Sequence, residues 1–169
     1  VDMFHVLMEL DSVYIKGDFA LDARDGGWVM TPARPLTTGS WRTQGLPFYP
    51  WAVRYEFAVV LDKTPERALF APKARGQAFS LTVNGQDAGL LYADGRRPAD
   101  LAPYLHAGEN TITLRVCGSQ KNLLGPHFTR VRGSAWPAMW REYPAHTPAP
   151  EQFDLFDFGL DELPALIVG

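Results

Sequence analysis

The chain has 169 residues with a net charge of −3, from 16 basic and 19 acidic residues, so charge recommends neither nucleic acid nor an anionic membrane as partner. A chain of this length buries roughly two thirds of its unfolded surface around one core, and a single domain over residues 1–169 is expected. No apolar run approaches the ~20 residues of a membrane span, so the chain reads as soluble.

Val1 stands where a Met would open a gene product, and no signal-peptide pattern follows it, which reads as a processed product or an excised part of something larger. Met3, Phe4, Val6, Leu7, Met8 and Leu10 form a nearly continuous apolar run, expected as a buried strand. Val13 to Leu21 resumes β character, with Gly17 at a bulge or close backbone approach. Asp25-Gly26-Gly27 is a turn, and Trp28, Val29 and Met30 start a short strand ended by Pro32 and Pro35.

Between Thr37 and Trp51, Trp41, Phe48, Tyr49 and Trp51 crowd around Gly39, Gly45, Pro47 and Pro50, the composition of a structured loop. Two readings of these aromatics stand side by side. They either form flat platforms of the kind on which sugar rings stack, or plug the end of a β-sandwich. Val53 to Leu61 alternates apolar and polar residues as a half-buried strand does, and the Asp62-Lys63-Thr64-Pro65 turn ends it. Arg67 to Phe70 is a further short strand, with Ala71 to Gly76 as a connector.

The strongest local signal lies between Phe79 and Phe128. Phe79, Leu81 and Val83 alternate with Ser80, Thr82 and Asn84, and Asn84-Gly85 supplies the positive backbone angles of a tight hairpin. Ala99 to Leu105 makes at most a helical turn. Ile112, Leu114 and Val116 form a second alternating strand, entered through a Gly108-Glu109-Asn110 turn. Cys117, the single cysteine, belongs to that strand and reads as an inert half-buried thiol. Tyr143 to Pro150 is an extended connector, and Phe153, Leu155, Gly159-Leu160 and Leu166-Ile167-Val168 are closing strands. Roughly nine short strands with 14 prolines and 15 glycines define an all-β, antiparallel β-sandwich.

The series V-Y-I-K-G-D-F, Q-G-L-P-F-Y, V-N-G-Q-D-A-G-L-L, L-H-A-G-E-N-T-I-T-L-R-V and N-L-L-G-P-H resembles the galactose-binding-like jelly-roll domains attached to bacterial glycoside hydrolases. Those of family 2 enzymes and α-L-rhamnosidase-like proteins are nearest in style, and the likeness runs from about Val13 to Phe128. It implies a jelly-roll, non-catalytic accessory domain whose partner is the catalytic domain of the same polypeptide, in a bacterial cytoplasm or secreted. It also implies no cofactor beyond a structural calcium ion, for which Asp18, Asp22 and Asp25 are the candidate ligands.

No reactive set stands out. Glycoside hydrolysis needs two carboxylates at defined separation, whereas Asp154, Asp157, Asp161 and Glu162 read as solvated turn residues. His5, His106, His127 and His146 lack metal-ligand spacing. Three functions stay in view: the accessory sandwich, an independent carbohydrate-binding module, and a small hydrolase. A binding module would use Trp41, Tyr49 or Trp51 as its platform and Gln44, Asn122 or His127 for sugar hydroxyls. The loop carrying Asn122 to His127 is expected to meet the Gln44 to Trp51 loop on one edge of the sandwich.

Overall fold

The structure is a computed structural model that describes residues 14–91, 98–124 and 149–169. The expected opening strand from Val1 to Leu10, His127, Trp136, Trp140 and most of the Tyr143 to Pro150 connector lie outside the described residues. The strands are β1 (Phe19–Arg24), β2 (Gly27–Pro32), β3 (Gly39–Ser40), β4 (Ala52–Leu61), β5 (Ala68–Arg75), β6 (Ala78–Val83), β7 (Gln86–Leu91), β8 (Ala99–Asp100), β9 (Gly108–Cys117) and β10 (Gly159–Val168). One four-residue helix, α1 (Lys121–Leu124), and short 3-10 turns are the other regular elements described.

Two four-stranded sheets, ordered β3-β10-β5-β8 and β4-β9-β6-β7, make the sandwich, and every ladder is antiparallel. Period-two alternation decides which residues they bury. Ala68, Phe70 and Ala74 of β5 and Leu160 of β10 meet Phe79, Leu81 and Val83 of β6 and Ile112, Leu114 and Val116 of β9 in one core. On β4 the expected alternation holds, Tyr55 and Phe57 turning inward opposite Leu114 and Ile112. The third sheet is the β1-β2 hairpin, closed by Asp25 and Gly26 with φ of 48° and 74°. Asn84 and Gly85, at 51° and 79°, close β6 to β7 in the same primed geometry.

That Asn-Gly turn is also the anchor of a polar staple. Asn84 donates from Nδ2 to Asn110 Oδ1 (2.8 Å) and to the Tyr104 carbonyl (2.9 Å), and its Oδ1 accepts from the Thr111 amide (2.9 Å). Asn110, only 2% exposed, donates to the His106 and Gly108 carbonyls and accepts from the His106 amide. Every hydrogen-bonding atom of this buried amide has a partner, so it locks the 104–110 loop onto the hairpin.

Several boundaries differ from expectation for identifiable reasons. The strand entered at Gly108 includes the expected turn, because Gly108 to Asn110 pair with Leu61 to Val59. Among the described residues the first strand starts at Phe19; Tyr14 and Ile15 are exposed ahead of a bend at Gly17-Asp18, and Gly17 lies outside the strand, with no bulge there. β5 continues through Pro72 to Arg75. Proline is tolerated there because the β5–β10 register slips between Glu162 and Ala165, and β8 pairs with β5 only at Leu69 and Phe70. Phe153 and Leu155 precede the closing strand instead of forming one, and β10 is a single strand of ten residues.

The two outer faces differ in composition, though both carry exposed apolar side chains. On β5 and β10, Leu69 lies opposite Ile167 and Ala71 opposite Ala165, pointing away from the core, and Leu163 stands 74% exposed at the register slip. The outer face of the other sheet carries Arg54, Glu56, Ser80, Thr82, Thr113 and Arg115, with Val60 and Leu90 exposed beside them.

Candidate functional site

The expected meeting of the two loops occurs at Asn122. α1 follows Ser119, whose Oγ accepts from the Lys121 amide at 3.2 Å, and presents Asn122 to the sandwich end. Asn122 Nδ2 donates to the Pro47 carbonyl (3.2 Å) and the Phe156 carbonyl (2.9 Å), and its Oδ1 accepts from the Phe156 amide (2.8 Å). The side chain is 2% exposed, so these backbone bonds take up the capacity that a sugar hydroxyl would need.

The aromatics of the 41–51 loop divide between the two readings. Trp41 is 1% exposed; it lies 6.0 Å from Tyr49 and 5.9 Å from Phe158 between ring centroids, and donates its indole N–H to Tyr55 Oη at 2.6 Å. It plugs the sandwich end. Burial, opposed by the Trp41 bond and a backbone bond to Leu160, raises the Tyr55 phenol above its ordinary range. Tyr49 is half-buried, with its hydroxyl on the Ala52 carbonyl at 3.2 Å. Trp51 alone of the three presents its ring to solvent, at 63% exposure. Its carbonyl accepts from the Gly118 amide at 2.8 Å, and a Cβ on Gly118 would come within 2.9 Å of that oxygen and 3.2 Å of Trp41. Glycine is therefore required where the two loops cross.

Gln44 closes its own loop. Its Oε1 accepts from the Thr37 amide (2.7 Å) and hydroxyl (3.1 Å), while Nε2 donates to the carbonyls of Thr37, Thr38 and Ser40. Beside it Arg34 donates from Nε to the Gln44 carbonyl (3.2 Å) and forms an ion pair with Asp22 (Nη2 to Oδ1, 2.6 Å). The hydrogen bond from Arg34 holds the Asp22 carboxyl below its ordinary range. Asp22 is thus turned to a cation, while Asp18 and Asp25 lie exposed on either side of β1. Among the described residues, no group of three His, Cys, Asp or Glu is arranged to hold a metal ion.

Several residues near this end were not singled out as site candidates. Lys121 pairs with Asp154 (Nζ to Oδ2, 2.7 Å), donates to the Asp154 carbonyl, and lies 4.9 Å from the ring centroid of Phe156. Asp157, Asp161 and Glu162 are solvent-exposed, as expected, but each also has a polar partner, and Asp161 and Glu162 stand in a strand instead of a turn. Asp157 accepts from Ser40 Oγ at 2.7 Å, Asp161 pairs with Arg75 at 2.7 Å and Glu162 with Lys73 at 2.7 Å, the last two within β10. Trp28 of β2 packs edge-on against Phe48 (5.2 Å) and Phe153 (5.9 Å), so the hairpin is pinned to the same end of the sandwich.

No protein-family model matches the chain, and no curated protein matches it. Solved structures do. A rhamnosidase from Novosphingobium sp. PP1Y is similar over 95% of this chain and 16% of its own, at 18% identity and a TM-score of 0.50. A β-glucuronidase from Bifidobacterium dentium is similar over 88% of this chain and 28% of its own, at 18% identity and a TM-score of 0.47. The chain therefore spans less than a third of either protein. The likeness is one of fold, to one part of the longer rhamnosidase.

Proposed function

We infer that this chain is a non-catalytic accessory β-sandwich, of the jelly-roll, galactose-binding-like type, that packs against the catalytic domain of a glycoside hydrolase in the same polypeptide. The observation that carries the reading is the apolar outer face of β5 and β10, where Leu69, Ala71, Ala165 and Ile167 sit in two directly opposed pairs. A sheet face of this kind left to water is unfavourable, and a contiguous exposed patch marks a docking surface. Its neighbouring charges, Lys73 with Glu162 and Arg75 with Asp161, pair within the face, and an apolar partner surface is expected opposite Leu69, Ala71, Ala165 and Ile167. The fold match to a small part of a longer rhamnosidase supports the same arrangement. Reading the gene product on either side of these residues tests it. A glycoside hydrolase catalytic domain is expected next to the chain, and a neighbour of unrelated chemistry would overturn the assignment.

Trp51 favours a second reading, an independent carbohydrate-binding module, because its exposed ring offers an apolar platform for a sugar face. In that reading a glycan array and calorimetry detect binding that Trp51→Ala abolishes; silence across plant and bacterial glycans sinks it. Turnover of aryl-glycosides by the purified chain would favour a small hydrolase over both.

A further inference from the structure

The outer face of the β4-β9-β6-β7 sheet holds a local charge arrangement that packing does not explain. Register sets Arg54 of β4 directly opposite Arg115 of β9, and Arg115 directly opposite Ser80 of β6. The residues flanking each in sequence turn toward the core, so these three side chains project from the sheet side by side. Directly opposed residues on one face have Cβ atoms about 4.5–5.5 Å apart, and like charges so placed repel.

Glu56, two residues along β4, meets only part of this charge, with Oε1 3.2 Å from Arg54 Nε. Among the described residues, no carboxylate lies within ion-pair distance of Arg115. The hydroxyls of Ser80, Thr82 and Thr113 likewise hold no hydrogen bond among the described residues. The neighbouring row of the face, Glu56, Thr113, Thr82 and Asp87, carries a carboxylate at each end, so the excess positive charge is local to the pair of Arg54 and Arg115. An oxyanion seated between the guanidiniums converts the repulsion into charge-assisted hydrogen bonds from both, and Ser80 Oγ is placed to add another.

We propose that Arg54, Arg115 and Ser80 form a binding site for the carboxylate or sulfate group of an acidic saccharide. The oxyanion follows from the charge geometry, and the saccharide rests on the reading of the chain as part of a carbohydrate-active enzyme. Thr82 and Thr113, directly opposite each other one step along the face and flanked there by Asp87 and Glu56, are the groups for the ring hydroxyls.

The test is calorimetry and amide-resolved NMR titration of the wild-type chain with sodium sulfate, with an oligogalacturonate, and with the same oligosaccharide after reduction of its acid groups. The acidic oligosaccharide is expected to bind and to move the amides of Arg54, Arg115 and Ser80. Arg115→Gln should weaken that binding about tenfold or more, and added salt should weaken it in the wild type. At matched ionic strength, sulfate should raise the thermal midpoint of the wild type more than that of Arg115→Gln, the shared rise being the general salt effect. In anion-free buffer the variant should be at least as stable as the wild type, which separates a lost ligand from a lost fold. Equal affinity in Arg115→Gln, or amide shifts confined to another face, overturns the site. Binding of sulfate without binding of the oligogalacturonate overturns the saccharide assignment. Neither result depends on which domain flanks the chain, whereas the accessory reading stands or falls on that.

Discussion

Replacing Asn110 with alanine tests whether the buried amide staple holds the sandwich together. The side chain makes four hydrogen bonds, to the His106 and Gly108 carbonyls and from the His106 amide and Asn84. Each buried bond contributes about 0.5–1.5 kcal/mol net, and partners left unsatisfied add to the loss, so the total is about 3 kcal/mol. For a domain of this size that lowers the thermal midpoint by about 6–12 °C. Asn110→Asp is nearly isosteric but places an oxygen where Nδ2 donates to two carbonyls. A buried carboxylate facing carbonyl oxygens has its folded pKa raised above the unfolded value. Its stability is therefore highest below the unfolded pKa and is lost as pH rises through the folded one. Urea unfolding followed by circular dichroism at pH 4 and pH 7, each against wild type, should show Asn110→Asp more damaged at pH 7. If both variants unfold within about 0.5 kcal/mol of wild type, the staple does not do what its geometry implies.

Trp41→Phe removes the 2.6 Å bond to Tyr55 and part of the plug, and should lower unfolding free energy by about 2 kcal/mol in urea titrations followed by fluorescence. Gly159→Ala should be far more damaging than Gly85→Ala. At Gly159 (φ +148°) a Cβ lies 2.1 Å from the Gly39 carbonyl oxygen, whereas at Gly85 nothing lies within 4 Å and the cost is only that of the φ of 79°, about 1 kcal/mol. Hydrogen bonding holds the Asp22 and Asp100 carboxyls below their usual 3.8, from Arg34 at Asp22 and from the Ala68 and Ala102 amides at Asp100. With depressed pKa values, both contribute stability that is present above the unfolded value and lost as pH falls through the folded one. Thermal melts of Asp22→Asn should accordingly lose part of the wild-type decline below about pH 4.

The strand alternation and both primed turns were legible because they are local. Period two fixes which face of Val53 to Leu61 or Ile112 to Val116 is buried, and Asp-Gly and Asn-Gly tolerate positive φ on their own account. The second half of β5 looks like a connector because Pro72 stands among Ala71, Lys73, Ala74 and Gly76; only the register slip on β10 makes the proline acceptable. β3 and β8 are two residues long and exist only through partners distant in the chain, so no window of sequence reveals them. The same limit governs the aromatic loop. Trp41 and Trp51 are alike in local setting, and what separates them is the Tyr55 hydroxyl on β4 and the crossing at Gly118. Asn122 was correctly expected to bring its loop to the 44–51 loop, but its amide makes that junction through backbone bonds.

The docking of the β5–β10 face is tested most directly by carbene footprinting of the polypeptide that contains this chain, compared with the chain expressed alone. The account predicts that Leu69, Leu163 and Ile167 are labelled in the isolated chain and protected in the longer polypeptide, while Val60 and Leu90 on the opposite sheet label equally in both. Equal labelling of Leu163 and Ile167 in the two preparations would contradict it.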